Sequence, residues 1–254
     1  MLNFAIETAR AAGRILLEKY GRKLNVSKKG DINLVTEADL ASEQLIIERI
    51  RSHFPKHAIL AEESGDAVLL SGDNKFKWII DPLDGTTNFA HGYPCFAVNL
   101  AVEHDGELVV AVTFDPTRDE LFAAERGRGA TMNGKPIRVS ETEKLSESLI
   151  VTGFPYNFKE KKDFARHLTE FLLYSRGVRR DGSAALDMAY VACGRFDGFW
   201  EEGLNPWDVA PGCLLIEEAG GVVTTYTGDK INIYQPPICA SNGLIHREML
   251  AVLK

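Results

Sequence analysis

Two carboxylates three residues apart, placed where an apolar run gives way to a turn, are the clearest chemical feature of this chain. The string is Trp78-Ile79-Ile80-Asp81-Pro82-Leu83-Asp84-Gly85-Thr86-Thr87-Asn88. Asp81 and Asp84 on such a turn can face one hard cation, which takes its ligands from carboxylates, carbonyls and water. Backbone N–H groups from Gly85 onward can face an anion if a helix begins there. A cation and an anion meeting at one point are the components of metal-assisted phosphoryl chemistry. The same residue types also build ordinary turns, so the remaining acids have to decide between the two.

Three further acidic groups stand at comparable places. Glu62-Glu63 follows the apolar run Ala58-Ile59-Leu60-Ala61, and Asp39 lies in Val35-Thr36-Glu37-Ala38-Asp39, which opens an amphipathic stretch reaching about His53. Asp208 closes Asn205-Pro206-Trp207-Asp208 and precedes Glu217-Glu218-Ala219-Gly220-Gly221. Each also has a local explanation. Thr36 and Asp39 have the spacing of a helix capping box with Asp in place of Glu. Asn205 and Asp208 have the same spacing, with Pro206 at the first helical position, and Glu62-Glu63 could be a solvated strand exit. Capping and metal binding are compatible, because an acid held in a first helical turn is rigid and still has lone pairs to offer. His53 and His57 share the spacing of a helical metal pair, but Pro55 between them breaks the helix.

These acids need strand ends and helix starts to hold them. Phe76–Ile80 reads as a buried strand of bulky and β-branched residues, with Asp81 at its carboxyl end, where open α/β sheets place ligands. Pro82 is expected to end ladder pairing, and Gly85 to permit a tight turn. Asn3–Tyr20 and Thr36–His53 read as helices, the first stopped by Gly21 and the second before Pro55. Phe96–Val102 and Leu108–Phe114 flank the hairpin turn Asp105-Gly106, Glu120–Ala124 continues the antiparallel set, and Asn133-Gly134 marks another hairpin. The polar stretch Val139–Ser148 separates an expected N-terminal lobe, residues 1–140, from a C-terminal lobe, residues 141–254. Beyond it come strands at Leu149–Val151, Phe196–Trp200 and Val222-Val223, and helices at Lys161–Tyr174, Ala184–Ala192 and Pro206–Ala219. Helices and strands mixed in both halves make a layered α/β architecture. Ser64–Lys75 reads as a short polar loop.

At 254 residues, 45% hydrophobic and 26% charged, the chain has the size and composition of one large globular unit or two intimate lobes. Its 36 acidic against 29 basic residues give a net charge of −7, unsuited to binding nucleic acid through bulk charge. An anionic substrate remains compatible with that charge, because a bound divalent cation reverses the sign locally. Cys95, Cys193, Cys213 and Cys239 are scattered and read as buried free thiols of a reducing compartment. No segment has the apolar length needed to cross a bilayer, and Asn3–Tyr20 lacks a signal-peptide core. A cytoplasmic location is the expectation.

The eleven-residue string from Trp78, together with the Trp207-Asp208 segment ending in Gly220-Gly221 and with Gly182-Ser183-Ala184-Ala185, resembles the inositol monophosphatase family. The motifs are colinear from about residue 28 to about residue 221. The resemblance implies an alternating α-β-α-β-α sandwich, a homodimer, and hydrolysis of a phosphomonoester by water activated with two to three Mg²⁺ ions. In that pattern Glu62, Asp81 and the Leu83 carbonyl hold one ion, while Asp81, Asp84 and Asp208 hold another. Thr86 and Glu62 orient the water, and Asp39 supports Thr86. Gly85 and Thr86 cradle the phosphate, with Leu83, Asp84 and Asp208 also in contact with substrate. Ser183 and Ala184 lie beside the substrate, Arg179 lies near the phosphate, and Glu201 meets the ring hydroxyls. The implied substrate is a small phosphorylated polyol or sugar. Inositol monophosphate comes first, with fructose 1,6-bisphosphate or another small metabolite of the superfamily, such as a nucleotide 3′-phosphate or histidinol phosphate, as the alternative, and with neither nucleic acid nor membrane as partner. Some bacterial relatives also act in transcription complexes, which gives a non-enzymatic alternative. The Asp81–Asp84 spacing differs from the Asp-x-Asp loop of haloacid-dehalogenase phosphatases, and no Cys or Ser is arranged for a covalent phospho-enzyme.

Overall fold

The computed structural model describes residues 1–22, 26–29, 33–64, 75–154, 162–235 and 237–254. The polar segment between Ser64 and Lys75 lies outside them. Helices α1 (Leu2–Lys19) and α2 (Glu37–His53) pack against each other, and between them in chain order comes a two-stranded ribbon, β1 (Val26–Lys29) and β2 (Asn33–Thr36). A seven-stranded sheet follows in chain order: β3 (Ala58–Ala61), β4 (Phe76–Asp84), β5 (Ala97–His104), β6 (Glu107–Asp115), β7 (Glu120–Glu125), β8 (Ala130–Met132) and β9 (Lys135–Pro136). Its first pair is parallel and the others are antiparallel. The one-turn helix α3 (Thr86–Ala90) lies between β4 and β5.

The second sheet has five strands in the order β11-β10-β12-β14-β13. These are β10 (Leu149–Thr152), β11 (Gly177–Arg179), β12 (Gly198–Glu201), β13 (Val222–Thr224) and β14 (Ile238–Ser241). Four helices accompany it: α4 (Lys162–Tyr174), α5 (Ala184–Ala192), α6 (Pro206–Glu218) and α7 (His246–Leu253). The strands of the two sheets fall on either side of residue 140 in the chain.

Side-chain alternation sorts these elements into layers. Trp78 and Ile80 on β4 pack with Val98, Leu100 and Val102 of β5 against Ala5, Ala9, Leu16, Ile46 and Ile50 of α1 and α2. Ile79, between them, points to the opposite face and joins Met188, Leu214 and Leu215 of α5 and α6. That same core takes in Val151, Phe199 and Ala240 from one face of the second sheet. Ile150, Trp200 and Cys239 on its other face pack with Phe171 of α4 and Met249 and Leu253 of α7. The result is an α-β-α-β-α sandwich. Each fully buried Leu or Ile in these layers contributes roughly 1.5–3 kcal/mol relative to exposure, so the sheets and the α5–α6 layer form a rigid frame.

Some details depart from the sequence reading. Pro82 does not end the ladder: β4 continues to Asp84, which pairs with Ala97 across a β-bulge between Asp81 and Asp84. The bulge absorbs the missing N–H, as prolines in sheets require. Both hairpin signals hold, with positive φ at Asp105 and Gly106 and at Asn133 and Gly134. Of the four cysteines, Cys95, Cys213 and Cys239 are buried, while Cys193 is half-buried; all four are free thiols.

Candidate active site

The bulge determines how the central acids face. Asp81 is buried at its start and accepts a hydrogen bond from the Leu83 N–H at 3.0 Å through Oδ1. Ser42 on α2 donates to the Pro82 carbonyl at 2.9 Å and ties the bulge to the neighbouring helix. Gly85 caps α3 with φ +90°, and a Cβ there would stand 2.9 Å from the Cys95 carbonyl oxygen. Only glycine meets both demands. Asp84 reaches across to the second half of the chain, where its Oδ2 accepts from the Ser183 hydroxyl and, at 2.9 Å, from the Ala185 N–H. Asn88 draws the same two regions together, its Nδ2 donating to the carbonyls of Cys95, Asp181 and Gly182.

Asp208 arrives on the first turn of α6. The Asn205 N–H donates to its Oδ2 at 2.6 Å, and Asn99 of β5 donates to the carbonyls of Trp207 and Asp208 at 2.8 and 3.3 Å. Asn99 is fully buried and is itself anchored by Thr113 at 2.6 Å. One carboxylate oxygen from each of Asp81, Asp84 and Asp208 falls within 4.8 Å of the others. Among the described residues, no other group of His, Cys, Asp and Glu is arranged to hold a metal ion. His57 is engaged elsewhere, accepting from the Trp78 indole at 3.1 Å.

A hydroxyl relay stands behind this cluster. Asp39 is fully buried in the first turn of α2, and its Oδ2 accepts from the N–H and hydroxyl of Thr36 at 2.8 and 2.6 Å. Thr36 completes the capping box by accepting from the Ala38 N–H at 3.1 Å. The Thr86 hydroxyl lies 3.0 Å from Asp39 Oδ1 and 3.0 Å from the Leu83 carbonyl. With a single proton it donates to one of these at a time, which leaves an oxygen lone pair facing the cavity.

That cavity, about 130 Å³, is bordered by Glu62, Asp81, Leu83, Asp84, Gly85, Thr86, Ser183, Ala184, Glu201 and Asp208. Asp39 is one step behind it. Arg179 does not border it: Arg179 is exposed on the edge strand β11, and the adjacent Arg180 lines the cavity instead. Sequence reading missed Asp187, Glu202, Gly153 and Asn99. Asp187 had a signal, since it lies four residues after Ser183 on one helix face, and so did Asn99, a polar residue inside an apolar strand. Gly153 had none.

Seven carboxyl side chains and one arginine border the cavity, and the consequence is a crowd of raised pKa values. Burial, then the nearby Asp208, pushes Glu62 up to about 8 against the relief of its hydrogen bond with Asp81. Burial and the Glu62 charge raise Asp81 well above the carboxylate range. Burial raises Asp84 to about 6, restrained by its bonds from Ser183 and Ala185. Burial and then Asp84 raise Asp208 to about 7. Burial, then Asp208, raises Glu201 to about 8. Ionised acids packed this closely repel one another and call for a compensating cation. The donor set is all oxygen, which fits a hard divalent cation.

The comparisons with known proteins agree with this chemistry. The family model of the inositol monophosphatase family matches residues 1–253. The inositol-1-monophosphatase of Synechocystis is 45% identical over 99% of this chain and 88% of its own length. The Nus factor SuhB of Escherichia coli K12 is 44% identical over 100% of this chain and 96% of its own. The solved inositol monophosphatase of Anabaena superposes with a TM-score of 0.90 at 47% identity, covering 99% of this chain and 94% of that one. With its sandwich fold, its acid-lined cavity and these relatives, the chain belongs to the inositol monophosphatase family and is a phosphoric monoester hydrolase.

Proposed function

We propose that this protein hydrolyses the phosphate ester of a small polyol, inositol monophosphate first among them, with Mg²⁺ held by the cavity acids. The observation that carries the reading is the charge of the cavity. Seven carboxyls against one arginine would repel a phosphate monoester, and only bound cations turn such a lining into an anion site. Glu62, Asp81 and the Leu83 carbonyl would hold one ion, and Asp81, Asp84 and Asp208 another. An ion held by these residues would lower the pKa of a coordinated water and offset charge on the leaving oxygen.

The chain's own groups do the rest. The Thr86 hydroxyl donates its hydrogen bond to Asp39, so the Thr86 oxygen is free to accept one from water, with the Glu62 carboxylate as a second acceptor. Together they orient that water toward phosphorus. The N–H groups of Gly85 and Thr86, at the start of α3, receive phosphate oxygens. On the leaving-group side, the Gly153 N–H holds Glu201 while its Oε2 remains buried without a protein partner. That oxygen is suited to a substrate hydroxyl.

The test is phosphate release from a panel in Mg²⁺: inositol 1-phosphate, fructose 1,6-bisphosphate, adenosine 3′,5′-bisphosphate and histidinol phosphate. The highest kcat/KM is expected for inositol 1-phosphate, and a preference for either bisphosphate would overturn the substrate assignment. The Nus factor name of the E. coli relative favours a second reading, a role in a transcription complex beside catalysis. Pull-down of transcription elongation factors by a catalytically silent Asp81→Asn protein would support it, and absence of binding would count against it.

A further inference from the structure

Most of the site's carboxyls are bound to the fold that carries them: Asp39, Asp81, Asp84 and Asp208 each accept at least one hydrogen bond from a nearby backbone or hydroxyl group. Asp187 is different. It sits in the first turn of α5, is 1% exposed and borders the cavity, yet neither of its carboxyl oxygens has a protein hydrogen-bond partner. A buried polar group left unpaired is destabilising, more so if charged, so the fold gains nothing from an acid at this place. The carboxyls that act on it are those of Asp181, Glu201 and Asp84, and the Oε2 of Glu201 is likewise buried without a partner.

Glu201 owes its position to Gly153. A Cβ at residue 153 would lie 2.0 Å from Glu201 Oε1, so any side chain there would force the carboxyl away. Three buried carboxyl oxygens with no protein donor, two on Asp187 and one on Glu201, therefore border the cavity beside the acid cluster, and both residues feel the charge of Asp84.

We propose that Asp187 is a specificity-determining residue, which with Glu201 forms a two-carboxyl floor that binds separate hydroxyls of a polyol leaving group. This rests on the phosphomonoesterase reading above and narrows its substrate class. Carboxyl groups accept hydrogen bonds from hydroxyls and repel anions. Among the described residues that line the cavity Arg180 is the one cation, and its guanidinium lies over the Phe154 ring at 5.0 Å. The floor thus selects neutral, hydroxyl-rich leaving groups over ones bearing a second phosphate.

The experiment compares kcat/KM for inositol 1-phosphate and for an aryl phosphate in the Mg²⁺-loaded wild type, Asp187→Asn and Asp187→Leu, with the Tm of each. Asp187→Leu should lose roughly ten- to a hundredfold more on inositol 1-phosphate than on the aryl ester, the range for an unpaired polar contact. Its Tm should hold or rise, because an unpaired buried acid has been removed. Asp187→Asn keeps the shape but gives up one acceptor, and its selective loss should be smaller and in the same direction. Equal losses on both substrates in either variant, or a fall in Tm for both, would make Asp187 a structural residue and overturn the proposal. A wild type that shows no preference for inositol 1-phosphate over the aryl ester would instead remove the polyol reading itself.

Discussion

At the scale of single residues, the acids divide by what they touch. Asp81 feels the charges of Glu62, Asp84 and Asp208 alike, so in the proposed arrangement its loss would disturb both cation positions. Asp208→Asn is expected to follow Asp81→Asn closely in phosphate-release assays. Glu62 and Glu63 make a sharper comparison. Glu62 borders the cavity and interacts with Asp81, whereas the Glu63 backbone N–H is bound to the Glu43 carboxyl at 2.9 Å. Glu62→Gln should therefore lose far more kcat than Glu63→Gln, and equal losses would transfer the role within the pair. Glu201→Ala should cost a polyol phosphate roughly 1–3 kcal/mol more transition-state binding than it costs an aryl phosphate. A comparison of kcat/KM for the two substrates checks this, and equal losses would place Glu201 among the supports of the fold. Asp187 and Glu202 were not read, whereas Asp39, Glu62, Asp81, Asp84 and Asp208 were legible in the sequence because each follows a strand or opens a helix. Arg179 was not, because in an extended segment neighbouring side chains point to opposite faces, and Arg180 takes the cavity side.

At the scale of elements, helix caps and one bulge carry the chemistry. Thr36 caps α2 and simultaneously binds Asp39, so the same hydroxyl stabilises the helix and aims the partner of Thr86. Thr36→Ala should cost about 1 kcal/mol of stability, as cap removal does, and should also lower kcat. Thermal unfolding and turnover measured on one preparation would check both, and a stability loss with unchanged kcat would detach the cap from catalysis. Thr86→Ala and Asp39→Asn should be strongly non-additive in kcat, since each removes the same oriented hydroxyl. Gly85→Ala combines a φ of +90° with a 2.9 Å approach to the Cys95 carbonyl; strain of this kind costs about 1–3 kcal/mol. Both capped helices were readable from Thr36…Asp39 and Asn205-Pro206-Trp207-Asp208. Strands β11 and β14 and helix α7 were not read, because two of them are short and all are defined by pairing or packing against distant segments. Pro82 misled for a related reason: the bulge that accommodates it exists only once β5 is alongside.

At the scale of the whole molecule, the two sheets grip one layer of helices, and the acids converge where α5 and α6 begin. Assembling them without a cation is costly, and the cost has a pH signature. Asp84, Asp208 and Glu62 have folded values of about 6, 7 and 8, above their ordinary 3.8, 3.8 and 4.5. The folded state therefore holds these protons more tightly than the unfolded chain does. Their stabilising effect is complete below the ordinary values and is lost as pH rises through the folded ones. In chelator, Tm should fall between about pH 4 and pH 8 from this source, and stabilisation by Mg²⁺ should grow over the same range, because binding displaces protons. A Mg²⁺ effect on Tm that is independent of pH would contradict the raised values. The most direct test of the central claim is phosphate release by the wild type and by Asp81→Asn as Mg²⁺ is titrated, withdrawn with chelator and restored. The wild type should be active only with Mg²⁺ and regain activity on its return. The variant should be slower by about three orders of magnitude, as expected when several kcal/mol of transition-state charge stabilisation are lost. Full wild-type activity in excess chelator, or undiminished turnover by the variant, would contradict it.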